Sequence, residues 1–387
     1  MKLLRPRTPL AWRNLVHNPR RLLLASGGIG FAVMLIFMQL GFEGALFDST
    51  VLVPRHLNAD LVMIDRAKFS MTVNNRFSRR MLSLAQSCAG VAEAHALIYD
   101  DRFLWQNVTT GLSLPIRLIA YDPLVEALTI PGIFAQQSKL LLPGTVLADR
   151  RSKSEYGPLT TGTISEYANQ RAEIVGNYSL GTDFTNDGDL ISSELTFARF
   201  TQPGRETQAL ESIDLGLVRL APGYTAAEVL DRLKRQLPED IRVLTKDDFV
   251  TLEQDFWRHS TPIGYIFSFG VVLGVFVGII ICYQVLFADI SDHLPEFATL
   301  KAMGYRGRYF TFVVLEEALW LAMFGFLPGL AASVLLYALL AEITSLALEL
   351  SWERAAGVFV LTVAMCVVSG IMTVRKVLSA DPAELFA

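Results

Sequence analysis

Four long apolar runs dominate the pattern of hydrophobic and polar positions along the chain. No Asp, Glu, Lys or Arg occurs within residues 22–42, 259–288, 318–341 and 355–374. A bilayer core about 30 Å thick is crossed by roughly 20 apolar residues in helical form. Each run is long enough, and the pattern predicts four transmembrane helices, over residues 22–43, 263–288, 310–341 and 355–374.

The first 21 residues form a basic segment ahead of the first apolar run. They include six Lys and Arg residues and no acid, and Trp12, Leu15 and Val16 form an apolar stripe at helical spacing. This pattern is typical of a short amphipathic helix at a membrane surface, ending near Pro19. A cleaved signal peptide is the alternative. The apolar run is too long for one and lacks an Ala-x-Ala cleavage site, so we expect the segment to be retained.

The distribution of basic residues predicts the orientation in the membrane. Besides the N-terminal segment, Lys and Arg residues occur between the second and third runs and after the fourth. The connection between the third and fourth runs has only Arg354. Cytoplasmic connections carry the excess of positive charge. We therefore expect cytoplasmic segments at 1–21, 289–309 and 375–387, a short periplasmic loop at 342–354, and a large extracytoplasmic domain at 44–262.

The pattern within residues 44–262 predicts an α+β domain. Apolar alternation or short apolar runs indicate strands over 60–64, 91–98, 214–220 and 241–244. Helical spacing indicates helices over 77–84 and 226–237. Two strand–helix–strand units of this kind predict a ferredoxin-like fold. Residues 141–200 are richer in Gly, Thr, Ser and Asn, and we interpret them as an inserted β-subdomain.

A short charged segment separates the second and third apolar runs. Pro295 and Glu296 suit the first turn of a helix, because proline needs no helical N–H partner there and glutamate suits the positive end of the dipole. Met303 and Gly304 suit its end. The segment therefore predicts a short helix at the membrane surface, joined on each side to a spanning helix.

Composition supports an integral membrane protein. Of the 387 residues, 52% are hydrophobic and 19% are charged, against about 25% charged in typical soluble domains. The formal net charge of −4 gives no indication of nucleic-acid binding. The cysteines are Cys88, Cys282 and Cys366, the last two within apolar runs, and they form no disulfide or metal pattern. We interpret Cys88 as a buried free thiol.

The motifs of common catalytic and metal sites do not occur in the sequence. It has no Gly-x-x-x-x-Gly-Lys-Ser/Thr, no Gly-x-Ser-x-Gly and no His-Glu-x-x-His. We therefore predict no catalytic, cofactor-binding or metal-binding residues in this chain. Asp183, Asp187 and Asp189 resemble part of a calcium loop, but the acid that would complete it is missing. We interpret them as a solvated turn.

Small residues recur at intervals of four in two of the apolar runs. They are Gly270, Gly274 and Gly278 in the second run, and Gly325 and Gly329 in the third. Such spacing lets helix backbones approach closely. The functional interpretation is a helix-packing or dimer interface. The alternative is chance, since glycine is common in spanning helices.

Glu316 and Glu317 lie near the start of the third run. A carboxylate inside hydrocarbon is costly and invites a role such as proton coupling. These two are only one or two turns deep, however, so anchoring at the headgroups or pairing between helices is the interpretation that we favour.

Several stretches together resemble the FtsX/MacB-type permeases of ABC transporters, in particular the DevC-type branch. They are Ala11-Trp-Arg-Asn-Leu-Val-His-Asn-Pro-Arg-Arg21, Phe256-Trp257, Thr261-Pro-Ile-Gly264, residues 283–305 and Ala380-Asp-Pro-Ala-Glu384. The order of one span, a large external domain and three further spans is similar too. The resemblance extends over the whole chain and is most specific over residues 256–305.

The resemblance implies a non-catalytic permease subunit of an exporter in the bacterial inner membrane. Its implied partners are a second permease copy, two ABC ATPase subunits that bind ATP and Mg²⁺, a periplasmic membrane fusion (adaptor) protein, a TolC-like outer-membrane channel and membrane lipids. The segment between the second and third spans would be the coupling helix that contacts the ATPase. Its residues are Asp289, Asp292, His293, Leu294, Pro295, Glu296, Phe297, Thr299, Leu300, Lys301, Met303 and Gly304.

The resemblance also implies a mechanical mechanism, in which ATPase-driven motion passes through this helix to the periplasmic domain. A lipid-like or amphiphilic substrate would then leave the cell without crossing the spans, which have few polar residues to line a conduit. The alternative function is a membrane-anchored scaffold or regulator, FtsX-like, whose periplasmic domain recruits or activates a periplasmic partner.

Overall fold

The computed structural model describes residues 19–293, 303, 307–344 and 350–379. The chain forms two compact units, one over Leu46–Thr261 and the other made of the helical segments on either side of it. The α-helices are α1 (Pro19–Thr50), α2 (Leu52–Arg55), α3 (Arg80–Gln86), α4 (Glu194–Thr201), α5 (Glu206–Ala209), α6 (Ala226–Gln236), α7 (Lys246–Asp255), α8 (Pro262–Asp292), α9 (Gly307–Thr344) and α10 (Trp352–Ser379).

Four of these helices contain stretches that are long and apolar enough to cross a membrane. The stretches are Leu22–Thr50, Pro262–Asp292, Thr311–Leu340 and Trp352–Arg375. The first two reach beyond the predicted spans, to Thr50 and Asp292. The second has no helix-breaking residue after Ala288 until Pro295, and a helix usually ends before the residue that precedes a proline.

The unit Leu46–Thr261 is built on a mixed sheet of eleven strands, with a two-stranded sheet beside it. The strands are β1 (Leu61–Asp65), β2 (Phe77–Ser78), β3 (Val91–Asp100), β4 (Leu104–Gln106), β5 (Ser113–Pro115), β6 (Arg117–Tyr121), β7 (Thr145–Asp149), β8 (Ile164–Tyr167), β9 (Gln170–Tyr178), β10 (Asp189–Ser193), β11 (Ser212–Ile213), β12 (Leu215–Leu220) and β13 (Ile241–Thr245).

One end of the large sheet has ferredoxin-like topology, as predicted. Its strands lie in the order β13-β1-β12-β3, and each neighbouring pair is antiparallel. Helix α3 connects β1 to β3 and α6 connects β12 to β13. Along the chain, β1 is the first of these four strands, β3 the second, β12 the third and β13 the fourth. Their spatial order is therefore 4-1-3-2, which is that of a split βαβ fold.

The rest of the large sheet is inserted between β3 and β12. It continues in the order β6-β10-β7-β9-β8-β4-β5. The insertion begins right after β3, about 40 residues before the predicted start at 141. The early strands were not predicted because β4 and β5 have only three residues each, too few to show alternation.

Both faces of the ferredoxin-like part are covered by helices. Leu61 and Met63 of β1 face a core with Leu82 of α3, whereas Val62 faces a second core, which includes Val53 of α2. Phe249 of α7 packs in the second core as well. Alternate residues of a strand point to opposite faces, so two buried faces account for the nearly continuous apolar sequence of these strands. Helix α2, near the point where the chain enters this unit, and α7, near the point where it leaves, therefore pack on the same face of the sheet.

Candidate functional site

The segment where the chain enters the unit Leu46–Thr261 is the last turn of α1. Ser49 and Thr50 are buried there, and their hydroxyls donate to the backbone oxygens of Leu46, at 2.7 Å, and Phe47, at 2.9 Å. Hydroxyls that bond to the preceding turn in this way favour a helix end. Arg55 of α2 forms an ion pair with Asp48 at 2.8 Å, so the short helix α2 is attached to the end of α1.

The segment where the chain leaves the unit is α7 followed by one π-helical stretch, Phe256–Ser260. The Thr245 hydroxyl accepts from the Asp248 N–H at 3.1 Å and starts α7. Thr261 is extended, as expected for the residue before Pro262, and ends the π-helical stretch. A π-helical turn inside a helical run often lies at a functional site.

Glu253 fixes the end of α7 to the loop after β1. Its side chain is buried and accepts three hydrogen bonds: from the Ser70 hydroxyl at 2.7 Å, the Met71 N–H at 2.7 Å and the Trp257 indole at 3.0 Å. Burial raises the pKa of Glu253, and these hydrogen bonds only partly oppose the effect. Three donors around one buried carboxylate hold the exit segment in a single position.

The entry and exit segments also contact each other. The Arg258 guanidinium lies 5.0 Å from the centre of the Phe47 ring, a cation–π contact between the π-helical stretch and α1. The Lys246 ammonium donates to the backbone oxygen of Leu57, just after α2, at 2.7 Å. Two contacts, one at the start of α7 and one just after its end, therefore join the segments by which the chain enters and leaves the unit.

A loop of the insertion touches both segments. The Phe184 N–H donates to the Ser49 hydroxyl of α1 at 3.2 Å, and the Phe184 ring meets the Trp257 ring edge-on at 5.9 Å. The loop that carries Phe184 runs from β9 to β10. We name the group formed by Ser49, Phe184, Glu253 and Trp257 the junction. It brings α1, the exit segment and the insertion together.

The same loop is anchored to the sheet by a buried ion cluster. Arg117 of β6 donates two hydrogen bonds to Asp189 of β10 and one to Asp183, and all three side chains are at most 4% exposed. Burial raises the pKa of Asp189 to about 7, although the Arg117 cation acts in the opposite direction. The interpretation of this loop as a solvated turn is therefore wrong for Asp183 and Asp189. Asp187 is half-exposed and pairs with Lys153 at 2.7 Å.

A second charged cluster lies where the insertion leaves and rejoins the ferredoxin-like part. Asp214, just before β12, pairs with Lys68 at 3.2 Å and with Arg76 at 2.9 Å. Arg76 also reaches Asp100 at the end of β3, at 3.3 Å. Burial lowers the pKa of Lys68, and the Asp214 carboxylate opposes this. Because buried charges are costly unless paired, the cluster holds the two chain crossings in a fixed relation.

The structure describes only part of the predicted coupling segment. Asp289 and Asp292 lie in the last turns of α8, and the His293 ring nitrogen Nδ1 lies 3.0 Å from the backbone oxygen of Asp289. Met303 is exposed. The other predicted coupling residues lie outside the described residues, and the coupling helix stays a prediction. They are Leu294, Pro295, Glu296, Phe297, Thr299, Leu300, Lys301 and Gly304.

The predicted packing glycines of α8 face α1 within the same chain. A Cβ at Gly274 would lie 2.8 Å from the Ile36 side chain, and one at Gly270 would overlap Gln39. A Cβ at Gly278 would overlap Met365 of α10. These glycines therefore occupy contacts between helices of one chain, and a contact between two copies stays a prediction.

The predicted packing glycines of α9 also face α1. A Cβ at Gly329 would lie 2.7 Å from the backbone oxygen of Gly30, and one at Gly325 would overlap Ile29. A Cβ at Gly30 would in turn lie 3.2 Å from the backbone oxygen of Gly325. The α1 and α9 backbones thus approach each other through glycines on both sides, an approach that larger residues would prevent.

Of the remaining candidates for chemistry, Glu316 is half-buried, and the other two are buried. Glu317 is 3% exposed, and Cys88 is a buried free thiol, as predicted. Within the described ranges, no group of three or more His, Cys, Asp or Glu side chains could hold a metal ion.

Sequence reasoning missed the charged residues that form the junction and its anchors. Arg117, Asp214 and Glu253 each follow an apolar residue or lie within an apolar stretch, at or near the end of a strand or helix. That position is the one signal that could have marked them. Their partners come from distant parts of the chain, and no local pattern identifies those.

The four membrane-length helices and the ferredoxin-like domain with its insertion are those of an integral membrane protein with a large domain outside the bilayer. Comparison with known proteins adds a match over part of the chain. Residues 268–382 match the family model described as FtsX-like permease C-terminal. This part of the chain is therefore similar to the C-terminal domain of FtsX-like permeases. Among curated proteins, none matches the chain.

Two solved structures are similar to part of the chain. One is the periplasmic region of MacB from Actinobacillus actinomycetemcomitans, at 12% identity and a TM-score of 0.35, covering 51% of this chain and 94% of that one. The other is the extracellular domain of the noncanonic ABC-type transporter YknZ from Gram-positive bacteria, at 11% identity and a TM-score of 0.34. That match covers 49% of this chain and all of the YknZ domain.

Proposed function

We propose that the chain is the non-catalytic permease subunit of an ABC exporter and that its action is mechanical. ATP hydrolysis by a separate subunit moves the segment around residues 289–304. The spanning helices pass this motion to the unit Leu46–Thr261, which lies in the periplasm. The exported substrate is a lipid or another amphiphile, and it is handled on the periplasmic side.

The observation that carries the proposal is the FtsX-like permease C-terminal match over residues 268–382. The matched stretch includes most of α8, all of α9 and α10, and the whole predicted coupling segment. A match to this domain supports a subunit that works with a separate ATPase. It also supports the interpretation of residues 289–304 as the contact with that ATPase.

The junction supports a mechanical role. The helix α1 continues without interruption from Pro19 to Thr50, and its last turn bonds to the insertion through Ser49 and Phe184. On the exit side, Glu253 and Trp257 connect the π-helical stretch to the β1–α3 loop and to Phe184. A displacement of either segment is therefore transmitted to the insertion as well as to the ferredoxin-like part.

The proposed assembly contains two copies of this chain and two ATPase subunits, which bind ATP and Mg²⁺. A periplasmic adaptor and a TolC-like outer-membrane channel complete the export path. The chain lies in the inner membrane of a bacterium with its termini in the cytoplasm, in agreement with the positive-inside distribution of its Lys and Arg residues.

Purification of the tagged chain from gently solubilised membranes tests this function. We expect a P-loop ATPase to co-purify, together with its ATP hydrolysis activity. Glu296→Lys reverses a charge and Leu300→Arg removes an apolar contact in the proposed coupling helix, so both should abolish this co-purification. Glu353→Lys makes the same charge reversal at an exposed position of α10 and should leave it intact.

Two outcomes would contradict the proposal. If the ATPase co-purifies equally with the Glu296 and Leu300 variants, residues 289–304 are not its docking segment. If a periplasmic partner is recovered and no ATPase, the scaffold or regulator function replaces the exporter function.

A further inference from the structure

A groove of about 810 Å³ lies on the unit Leu46–Thr261, away from the junction. One wall is α3, with Arg79 just before it, and the other contains the start of α4 and the residues around α5. The floor is formed by three consecutive residues of β3, Ala94 to Ala96. Ala94 and Ala96 belong to the same core as Leu82 of α3, so the groove lies over this face of the sheet. Asp122, directly after β6, also lines the groove, which therefore reaches the side of β3 along which β6 pairs further on.

The edge of β3 is unpaired along this groove. On one side, β3 pairs with β12 from Val91 to Leu97. On the other side, β6 pairs only with the second half of β3, from Leu97 to Asp100. Among the described strands, residues 91–96 therefore have one free edge, about 20 Å long. Backbone N–H and C=O groups on a free edge are a template for an added strand.

Glu194 provides a second, independent indication of a ligand. It is the first residue of α4, it lines the groove, and its side chain is 91% buried. One carboxylate oxygen, Oε2, accepts from Arg79 at 2.6 Å. The other, Oε1, is buried and has no hydrogen-bond partner among the described residues. A buried carboxylate oxygen without a donor is costly, so a donor that enters the groove and displaces the side chains over Oε1 gains this hydrogen bond.

The charge and shape of the groove indicate what that donor is. The groove is lined by four carboxylates and two guanidinium groups, and Arg79 is already paired. The excess of negative charge favours a cation. Only a long side chain reaches an oxygen at this depth, and Lys and Arg combine a flexible apolar stem with a charged end. Exposed Leu195 beside Glu194 offers an apolar contact for a neighbouring side chain.

We propose that this groove binds an extended peptide segment of a partner protein, which pairs with the free edge of β3 and places a Lys or Arg side chain against Oε1 of Glu194. The backbone pairs supply affinity and the Glu194 contact supplies specificity. The proposal is independent of the proposed function, because it rests on the geometry of this unit alone.

Retention of defined peptide mixtures by the full chain in lipid nanodiscs tests the proposal. The first mixture contains hexapeptides blocked at both ends, with Lys at the third position and Val, Thr, Ser or Leu elsewhere. The second has norleucine in place of Lys, and the third is the Lys mixture with alternate amides N-methylated. Retained peptides are quantified by mass spectrometry.

We expect the wild-type chain to retain roughly ten-fold more of the Lys mixture than of the norleucine mixture, because a hydrogen bond to a charged group is worth about that factor. N-methylation should reduce retention to background, because it blocks pairing with β3. Glu194→Gln should bring the ratio of Lys to norleucine retention to about one. Glu228→Gln, which removes a carboxylate at an exposed position of α6 outside the groove, should keep it at about ten.

Equal retention of the Lys and norleucine mixtures by the wild-type chain would overturn the role of Glu194, and undiminished retention of the N-methylated mixture would overturn strand pairing. Both comparisons use the wild-type chain, so they decide the matter even if Glu194→Gln fails to fold. A ten-fold preference for Lys that survives in Glu194→Gln would place the cation elsewhere.

Discussion

Replacement of Arg117 by methionine is the most informative test of the buried ion cluster. The side chain of Arg117 is 4% exposed, and it neutralises Asp183 and Asp189, whose side chains are 2% and 0% exposed. Methionine fills a similar volume but leaves two buried carboxylates without a counter-charge. Removal of one partner from a buried ion pair costs about 3–5 kcal/mol of unfolding free energy. We expect a loss in this range at pH 8.

The buried thiol of Cys88 offers a local measure of unfolding. Alkylation of Cys88 as urea increases, followed by peptide mass spectrometry, reports on this unit alone. For a unit of this size the unfolding free energy falls by roughly 2–3 kcal/mol per molar urea, so the midpoint should move down by roughly 1–2 M. Arg171→Met is the matched control, because Arg171 lies in the same insertion, its side chain is 72% exposed, and its acidic neighbour Glu173 is 4.0 Å away. Its midpoint should change little.

The loss of unfolding free energy in Arg117→Met should also depend on pH. An acid whose pKa is raised by folding destabilises the folded state as pH rises from its ordinary value to the raised one. Burial raises the pKa of Asp189, and removal of Arg117 removes the main group that opposes this rise. The destabilisation by Arg117→Met should therefore be largest at pH 8 and smaller at pH 5. A shift no larger than that of Arg171→Met, or one that is the same at both pH values, would refute the reasoning.

Three further substitutions test other contacts. Gly329→Leu places a side chain against the backbone of Gly30, so the solubilised protein should lose its monodisperse gel-filtration peak at a lower heating temperature. Gly357→Leu is the control, because a Cβ there meets nothing within 4 Å, and it should leave that temperature unchanged. The same temperature for both variants would contradict the helix packing. Trp257→Phe removes one of three donors to Glu253 and should cost about 1–3 kcal/mol in the same alkylation assay, and an unchanged midpoint would show that the indole bond adds nothing. Burial raises the pKa of Glu253, so the unfolding free energy of the wild type minus that of Glu253→Gln should be greatest below pH 4.5 and should fall as pH rises above it. A difference that does not change with pH would contradict a raised pKa.

The sequence predicted those parts of the fold that depend on local periodicity. The four apolar runs predicted helices of spanning length, and alternation in 214–220 together with helical spacing in 226–237 predicted the β12–α6 unit. The predicted helix over 77–84 lies at Arg80–Gln86 in the structure, and β2 occupies its predicted start. Short strands pair because of their neighbours in the sheet, so their own sequence indicates them poorly.

The candidate site could not be predicted, because its residues meet only in the folded chain. Arg76 and Asp214 are 138 positions apart, and Ser70 and Glu253 are 183 apart. Asp183 and Asp189 lie in a segment with the composition of an exposed turn, and only the position of Arg117 on the neighbouring strand buries them. Charge pairing across a sheet has no signature in one sequence.

The point at which the insertion leaves and rejoins the ferredoxin-like part has a consequence for exchange between proteins. The insertion departs after Asp100 and returns at Asp214, and the Asp214 N–H donates to the backbone oxygen of Leu97 at 3.2 Å. Its two ends are therefore adjacent, at a place where a simpler fold would have only a hairpin turn. Because its ends are adjacent, recombination can replace the insertion by another inserted domain while the four strands of the ferredoxin-like part remain. A replacement domain would contact Ser49 and Trp257 of the junction only if it had a loop equivalent to the one that contains Phe184.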